Sequence, residues 1–171
     1  ETFIADNEVE NGKCPICGRD LQRISEDCYF FRLSKYSKNL LEFFNENPNF
    51  VYPQSRFNEI INIVSNGLKD VDITRSNISW GIEFPIDKSQ VVYVWFDALV
   101  NYISALDWPE GQKFEDFWPA DVHIVGKEIT RFHAIMWPAM LISAGIEMPK
   151  KILSHGWWTV NGKKMSKSFG I

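Results

Sequence analysis

The chain has 171 residues, 45 % of them apolar, which is enough to bury a core, and its net charge of -4 excludes a surface that is basic throughout. Any contact with a nucleotide or nucleic acid must come from a local patch. No apolar run reaches the roughly 18 residues of a membrane span and no charged-then-apolar leader opens the sequence, so no membrane partner and a cytoplasmic location are expected.

Residues 1–30 lack helical periodicity and contain CPICG, in which Cys14 and Cys17 have the C-x2-C spacing of a zinc knuckle. Gly18 permits the tight turn in which backbone N–H groups face two thiolates. Tetrahedral zinc takes four ligands, whereas the remaining cysteine is Cys28 and the first histidine is His123. The pair therefore reads either as half of a Zn2+ site or as two small buried thiols. An odd count of three cysteines does not suggest a disulfide framework. Tyr36, Leu40, Phe43 and Phe44 then fall at near-helical spacing until Asn47-Pro48. A second helix follows Pro53, with Phe57, Ile60, Ile61, Val64 and Leu68 on one stripe and Gly67 as its stop signal. Residues 69–90 read as irregular chain or short strands.

From residue 91 the texture changes. VVYVWF has the continuous apolar character of a buried parallel strand, and Asp97 opens a helical pattern through ALVNYISAL. DVHIVG is a second strand, KEITRFHAIMWPAMLISAG a helix kinked by Pro138, and KILSHG a third strand. WWTVNGKKMS is a hairpin turning at Asn161-Gly162. This alternation predicts an α/β fold with a parallel, Rossmann-like sheet. Its ligand site is expected beyond the carboxyl ends of the strands, at Phe96-Asp97, Gly126-Lys127 and His155-Gly156.

Side chains of several kinds converge there. Ile129, His133 and Trp137 are spaced i, i+4, i+8, and Trp95, Ala98 and Tyr102 lie on the preceding unit. Together they form either an apolar pocket with a few polar tips or plain core, with His133 a satisfied core histidine. Gly126 and Glu128 stand at a strand-to-helix junction, where free N–H groups and a carboxylate suit a nucleotide ribose. NGKKMSKS lacks the Walker A spacing, so its lysines belong to a solvated loop or to an arm that neutralises a polyphosphate.

KMSKS, from Lys164 to Ser168, is the signature of class I aminoacyl-tRNA synthetases. YFFRLSKY, VVYVWFDALVNY, VGKEITRFHAIMWPAML and HGWWTVNGKKMSKS resemble successive blocks of the methionyl-tRNA synthetase family, in order over essentially the whole chain. The resemblance implies a methionine pocket of Trp95, Ala98, Tyr102, Ile129, His133 and Trp137. It also implies ATP contacts from Gly126, Glu128 and Trp158, with Lys164 and Lys167 on the phosphates of a magnesium–ATP complex. Cys14 and Cys17 would ligate zinc, and the partners would be methionine, ATP and tRNA. Glu128 stands where the family often has aspartate, and Leu99 where some relatives have proline. The family's His-Ile-Gly-His-like segment is absent, since the histidines are His123, His133 and His155. The chain, opening on Glu1, thus reads as a central fragment. Expected divisions are part of a zinc-knuckle insertion at 1–33, the helical remainder of the insertion at 34–88, and the second half of the catalytic domain at 89–171. Alone it is expected to be inactive, with an exposed strand edge, and nothing in it fixes an oligomeric state. Alternatives are a class I synthetase for leucine, isoleucine, valine or cysteine, or a zinc-knuckle RNA-binding module without catalysis.

Overall fold

Helices α1 (Ser37–Glu46) and α2 (Gln54–Ser65) form where the apolar stripes put them. In a computed structural model, which describes residues 12–13, 20–21 and 25–165, their buried positions are Leu40, Phe44, Phe57, Ile60 and Val64. The backbone N–H and side-chain amide of Asn47 both donate to the Phe43 carbonyl, closing α1, and beyond α2 the chain turns at Gly67 with φ 93°.

Between these helices lies β2 (Val51–Tyr52), a strand too short to announce itself by periodicity. It pairs in parallel with β7 (Ile152–His155), which pairs in parallel with β6 (His123–Gly126), giving the sheet order β2-β7-β6. Residues 34–88 thus supply two helices and a strand to the same core as Val125 and Ile152. Ile152, completely buried on the central strand, faces Val51 on one side and His123 on the other. Truncating it to alanine is expected to cost about 2–5 kcal/mol, seen as earlier unfolding in denaturant. An unchanged transition would refute its place at the centre of the core.

Two short antiparallel pairs precede the second half of the sheet. β1 (Phe30–Phe31) pairs with β3 (Val71–Asp72), and β4 (Thr74–Arg75) with β5 (Val91–Val92). Here the structure corrects the reading of VVYVWF as a parallel strand. Just Val91 and Val92 are in strand, and helix α3 (Val94–Ser104) begins at once. A continuous apolar run has no period of its own, and burial of Leu99 and Ile103 on one helical face decides the outcome. Asp97 sits in the first turn, where a carboxylate favours the helix dipole. Trp95, Ala98 and Tyr102 therefore all belong to α3, at i, i+3 and i+7.

The segment after β6 is a compound helix. A 3₁₀ turn (Lys127–Ile129) leads to a π turn (Phe132–Met136) and then to α4 (Trp137–Ala144), which ends at Gly145 with φ 68°. Pro138 has no N–H to return to the residue four before it, and the wider turn ahead of it takes the place of a simple kink. Ala134, Ile135 and Ala139 face the α1–α2 core, whereas Met136, Trp137, Met140 and Leu141 face α3 and Trp118. Contact on two sides explains why this segment is apolar on most faces. Among the described residues no helix is long and apolar enough to cross a membrane.

Candidate functional site

Gly126 and His155 are partners in register, so residues 127–128 and 156–157 leave the ends of two neighbouring parallel strands side by side. The Trp157 indole N–H donates to Glu128 Oε1, and Lys127 Nζ lies 3.6 Å from the centre of the Trp157 ring. Glu128 Oε2 lies over Gly126, where an added Cβ would come within 3.4 Å of it. Trp158 is largely exposed, and its carbonyl accepts the Met165 N–H at 2.8 Å. Beyond it β8 (Thr159–Val160) and β9 (Lys163–Lys164) form the expected hairpin. Asn161 and Gly162 turn it with φ 50° and 75°, as a type I′ turn requires. The Lys164 backbone pairs opposite Thr159, while Lys167, Cys14 and Cys17 lie outside the described residues. Among the described residues no cluster of His, Cys, Asp or Glu could hold a metal, and Cys28 is a free thiol.

Behind these strand ends lies an aromatic network. Tyr102 Oη is 2.8 Å from His133 Nε2, and His133 Nδ1 is 2.9 Å from the Ile129 carbonyl. A carbonyl can only accept, so Nδ1 carries the proton and Nε2 of the neutral ring accepts from the Tyr102 hydroxyl. A ligand that approaches this pair must compete with His133 for the tyrosine proton. Tyr102 lies 6.0 Å from the Trp137 ring and 4.2 Å from that of His123, and Trp118 meets Trp137 edge-on at 6.1 Å. Trp95 joins through Phe132, stacked on it at 4.8 Å. Tyr102, His133 and Trp137 are thus brought into one network, with Trp95 at its edge, whereas Ile129 joins by its carbonyl and packs its side chain against the α1–α2 core. Ala98 is half-buried on the same helix, whereas Leu99 is turned into the core.

The network is uncharged near neutral pH. Burial raises the Tyr102 pKa and lowers that of His133, the latter partly offset by the bond to Ile129. His123 is lowered to about 4, chiefly by burial and then by the neighbouring His133. This folded value lies below the ordinary one, so the unfolded chain binds the extra proton. The stabilisation is complete above about pH 6.5 and is lost as pH falls toward 4. Between pH 7 and pH 5 the loss is about 2 kcal/mol. His123→Gln is expected to flatten this part of the stability–pH curve in denaturant titrations. A slope unchanged by the substitution would refute the assignment.

Phe132 escaped the sequence reading because the i, i+4 pattern selects one face whereas the π turn presents more than one, and Trp118 and His123, before and in β6, carry no helical spacing to mark them. Arg75 escaped it too, in a segment without periodicity. It is buried, ion-paired with Asp72 and 3.9 Å from Glu26, with its guanidinium 4.0 Å over the Tyr93 ring. With Trp80, Tyr93, Trp95 and Asp97 it lines a cleft of about 950 Å³ beside the aromatic network.

The sequence matches the family described as tRNA synthetases class I (M) over residues 2–171. It is 51 % identical to the methionine–tRNA ligase of Caldanaerobacter subterraneus subsp. tengcongensis over 99 % of the chain and 27 % of that protein. The methionine–tRNA ligase of Thermotoga maritima is 50 % identical over 99 % of the chain and 28 % of its own length. The Mycobacterium tuberculosis methionyl-tRNA synthetase in complex with methionyl-adenylate superposes with a TM-score of 0.87 at 43 % identity, covering 99 % of the chain and 34 % of that structure. The apo form of that enzyme gives 0.82 at 42 % identity, over 91 % of the chain and 32 % of its own. The chain thus spans about a third or less of the relatives it matches.

Proposed function

The chain belongs to the methionine-type class I tRNA synthetases, with their α/β fold and parallel sheet, and from that membership we propose that it serves in a methionine–tRNA ligase. It supplies the methionine pocket and part of the ATP site of an enzyme that forms methionyl-adenylate and passes the methionyl group to tRNA. In the first step the methionine carboxylate attacks the α-phosphorus of ATP and pyrophosphate leaves. The protein's contribution is positioning and electrostatic stabilisation of the charge that builds on the leaving phosphates.

The observation that carries this reading is the neutral aromatic network beside a carboxylate at the ends of two parallel strands. Trp95, Ala98, Tyr102, Ile129, His133 and Trp137 enclose the methionine side chain, where ring contacts with sulfur contribute about 0.3–1.5 kcal/mol each. A lining of uncharged rings suits a thioether and disfavours charged side chains. Gly126 and Glu128 meet the adenosine ribose, the backbone near Trp158 borders the adenine, and Lys164 and Lys167 hold the phosphates. Mg2+ arrives with ATP as part of the substrate. Cys14 and Cys17 supply two thiolates, half the donor set of a tetrahedral zinc. The work is cytoplasmic, where translation consumes charged tRNA.

The test is ATP–pyrophosphate exchange by the complete enzyme with single amino acids. Exchange with methionine, and not with leucine, isoleucine, valine or cysteine, is the expected result. Exchange that follows one of the other four would overturn the pocket assignment.

A further inference from the structure

We propose that Trp157 is a positioning residue that aims the Glu128 carboxylate at the nucleotide ribose and ties it to the lysine-bearing hairpin. The inference rests on Glu128 being the ribose acceptor. Glu128 is exposed, in the middle of a three-residue 3₁₀ turn, and a glutamate there has several rotamers to choose from. Trp157 restricts the choice twice. Its N–H donates to Oε1, and its ring face takes the ammonium of the adjacent Lys127 at 3.6 Å. With Oε1 engaged by the indole, Oε2 is turned over Gly126, the residue without a side chain to block a sugar.

Trp157 is two residues beyond the end of β7 and two residues ahead of β8, the first strand of the hairpin whose second strand contains Lys164. The indole therefore fixes the root of that hairpin to the turn after β6. Ribose and phosphate contacts come from different stretches of chain, and the clamp sets their spacing before ATP arrives. Preorganisation of this kind lowers the ordering cost of nucleotide binding.

Trp157 is half-exposed, so its replacement leaves the core intact. In the complete enzyme, Trp157→Phe keeps a ring for Lys127 but removes the donor. The expected result is a KM for ATP raised roughly fivefold or more, with preference for ATP over 2′-deoxy- and 3′-deoxy-ATP reduced in parallel. KM for methionine and kcat should stay within about twofold of the parent. Trp157→Leu, which loses both contacts, should exceed the effect of Trp157→Phe. Glu128→Ala is measured alongside. If Glu128→Ala abolishes the preference for ribose and Trp157→Phe leaves it at the parental value, the clamp is overturned and the ribose assignment stands. If Glu128→Ala itself leaves the preference unchanged, both fall. Equal rises in KM for ATP and methionine in Trp157→Phe would mean general loosening and would also overturn the clamp.

Discussion

Replacing Lys167 by alanine in the complete enzyme is expected to slow methionyl-adenylate formation about 30- to 1,000-fold while leaving the affinity for methionine within about twofold. The estimate follows from the roughly 2–4 kcal/mol that one well-placed donor contributes to stabilising developing charge. Lysine suits the role, since its ammonium is a compact charge on a long stem that can follow a departing pyrophosphate. The described chain ahead of it is a defined hairpin. Asn161 and Gly162 make a type I′ turn and set the register Thr159 to Lys164, and the Met165 N–H returns to the Trp158 carbonyl. The backbone is specified up to the edge of the KMSKS sequence. A uniform ground-state contact would instead raise KM for ATP and leave kcat alone. Single-turnover measurement of adenylate formation at saturating ATP separates the two, and equal rates in variant and parent would refute a role for Lys167 in the transition state.

Where the sequence carried a clean period, it was legible. The stripes at Leu40–Phe44 and Phe57–Val64 gave both helices with their buried faces, and Asn161-Gly162 gave the hairpin. Strands β6 and β7 showed as apolar runs bounded by glycine, with the predicted parallel pairing between them. Legibility failed where tertiary packing overrides local pattern. Val91–Phe96 is as apolar as a buried strand, yet its second half is helix, because the helical face formed by Leu99 and Ile103 meets Trp137 and Leu141. Val51–Tyr52 is two residues long and becomes a strand because β7 offers it an edge. The π turn hid Phe132 in the same way. Its side chain stacks on Trp95 while its neighbour His133 meets Tyr102, so two consecutive residues, about 100° apart on an ideal helix, both reach α3. For the site, residue types were readable and their hydrogen-bond directions were not. That Tyr102 donates to His133 depends on the Ile129 carbonyl, a backbone group that carries no signal in the sequence.

That direction makes His133→Ala the second large effect. The imidazole is buried, its Nδ1–H committed to Ile129 and its Nε2 to Tyr102, so it braces the phenol from behind. Its removal deprives the Tyr102 hydroxyl of its acceptor and opens a void between α3 and the 132–137 turn. Both losses fall on the wall assigned to the thioether and neither on the nucleotide side, where Glu128, Trp157 and the hairpin are contributed by other segments. KM for methionine is therefore expected to rise roughly 10- to 100-fold with KM for ATP held within about twofold. Tyr102→Phe supplies the internal control. It leaves the imidazole in place with an unpaired buried acceptor, and its effect on methionine should have the same sign and a smaller size, since no void forms. The two groups act as one unit, so the double variant should cost less than the product of the two single effects. Parallel increases in both Michaelis constants, or fully multiplicative single effects, would show that His133 is ordinary core and that the methionine side chain lies elsewhere.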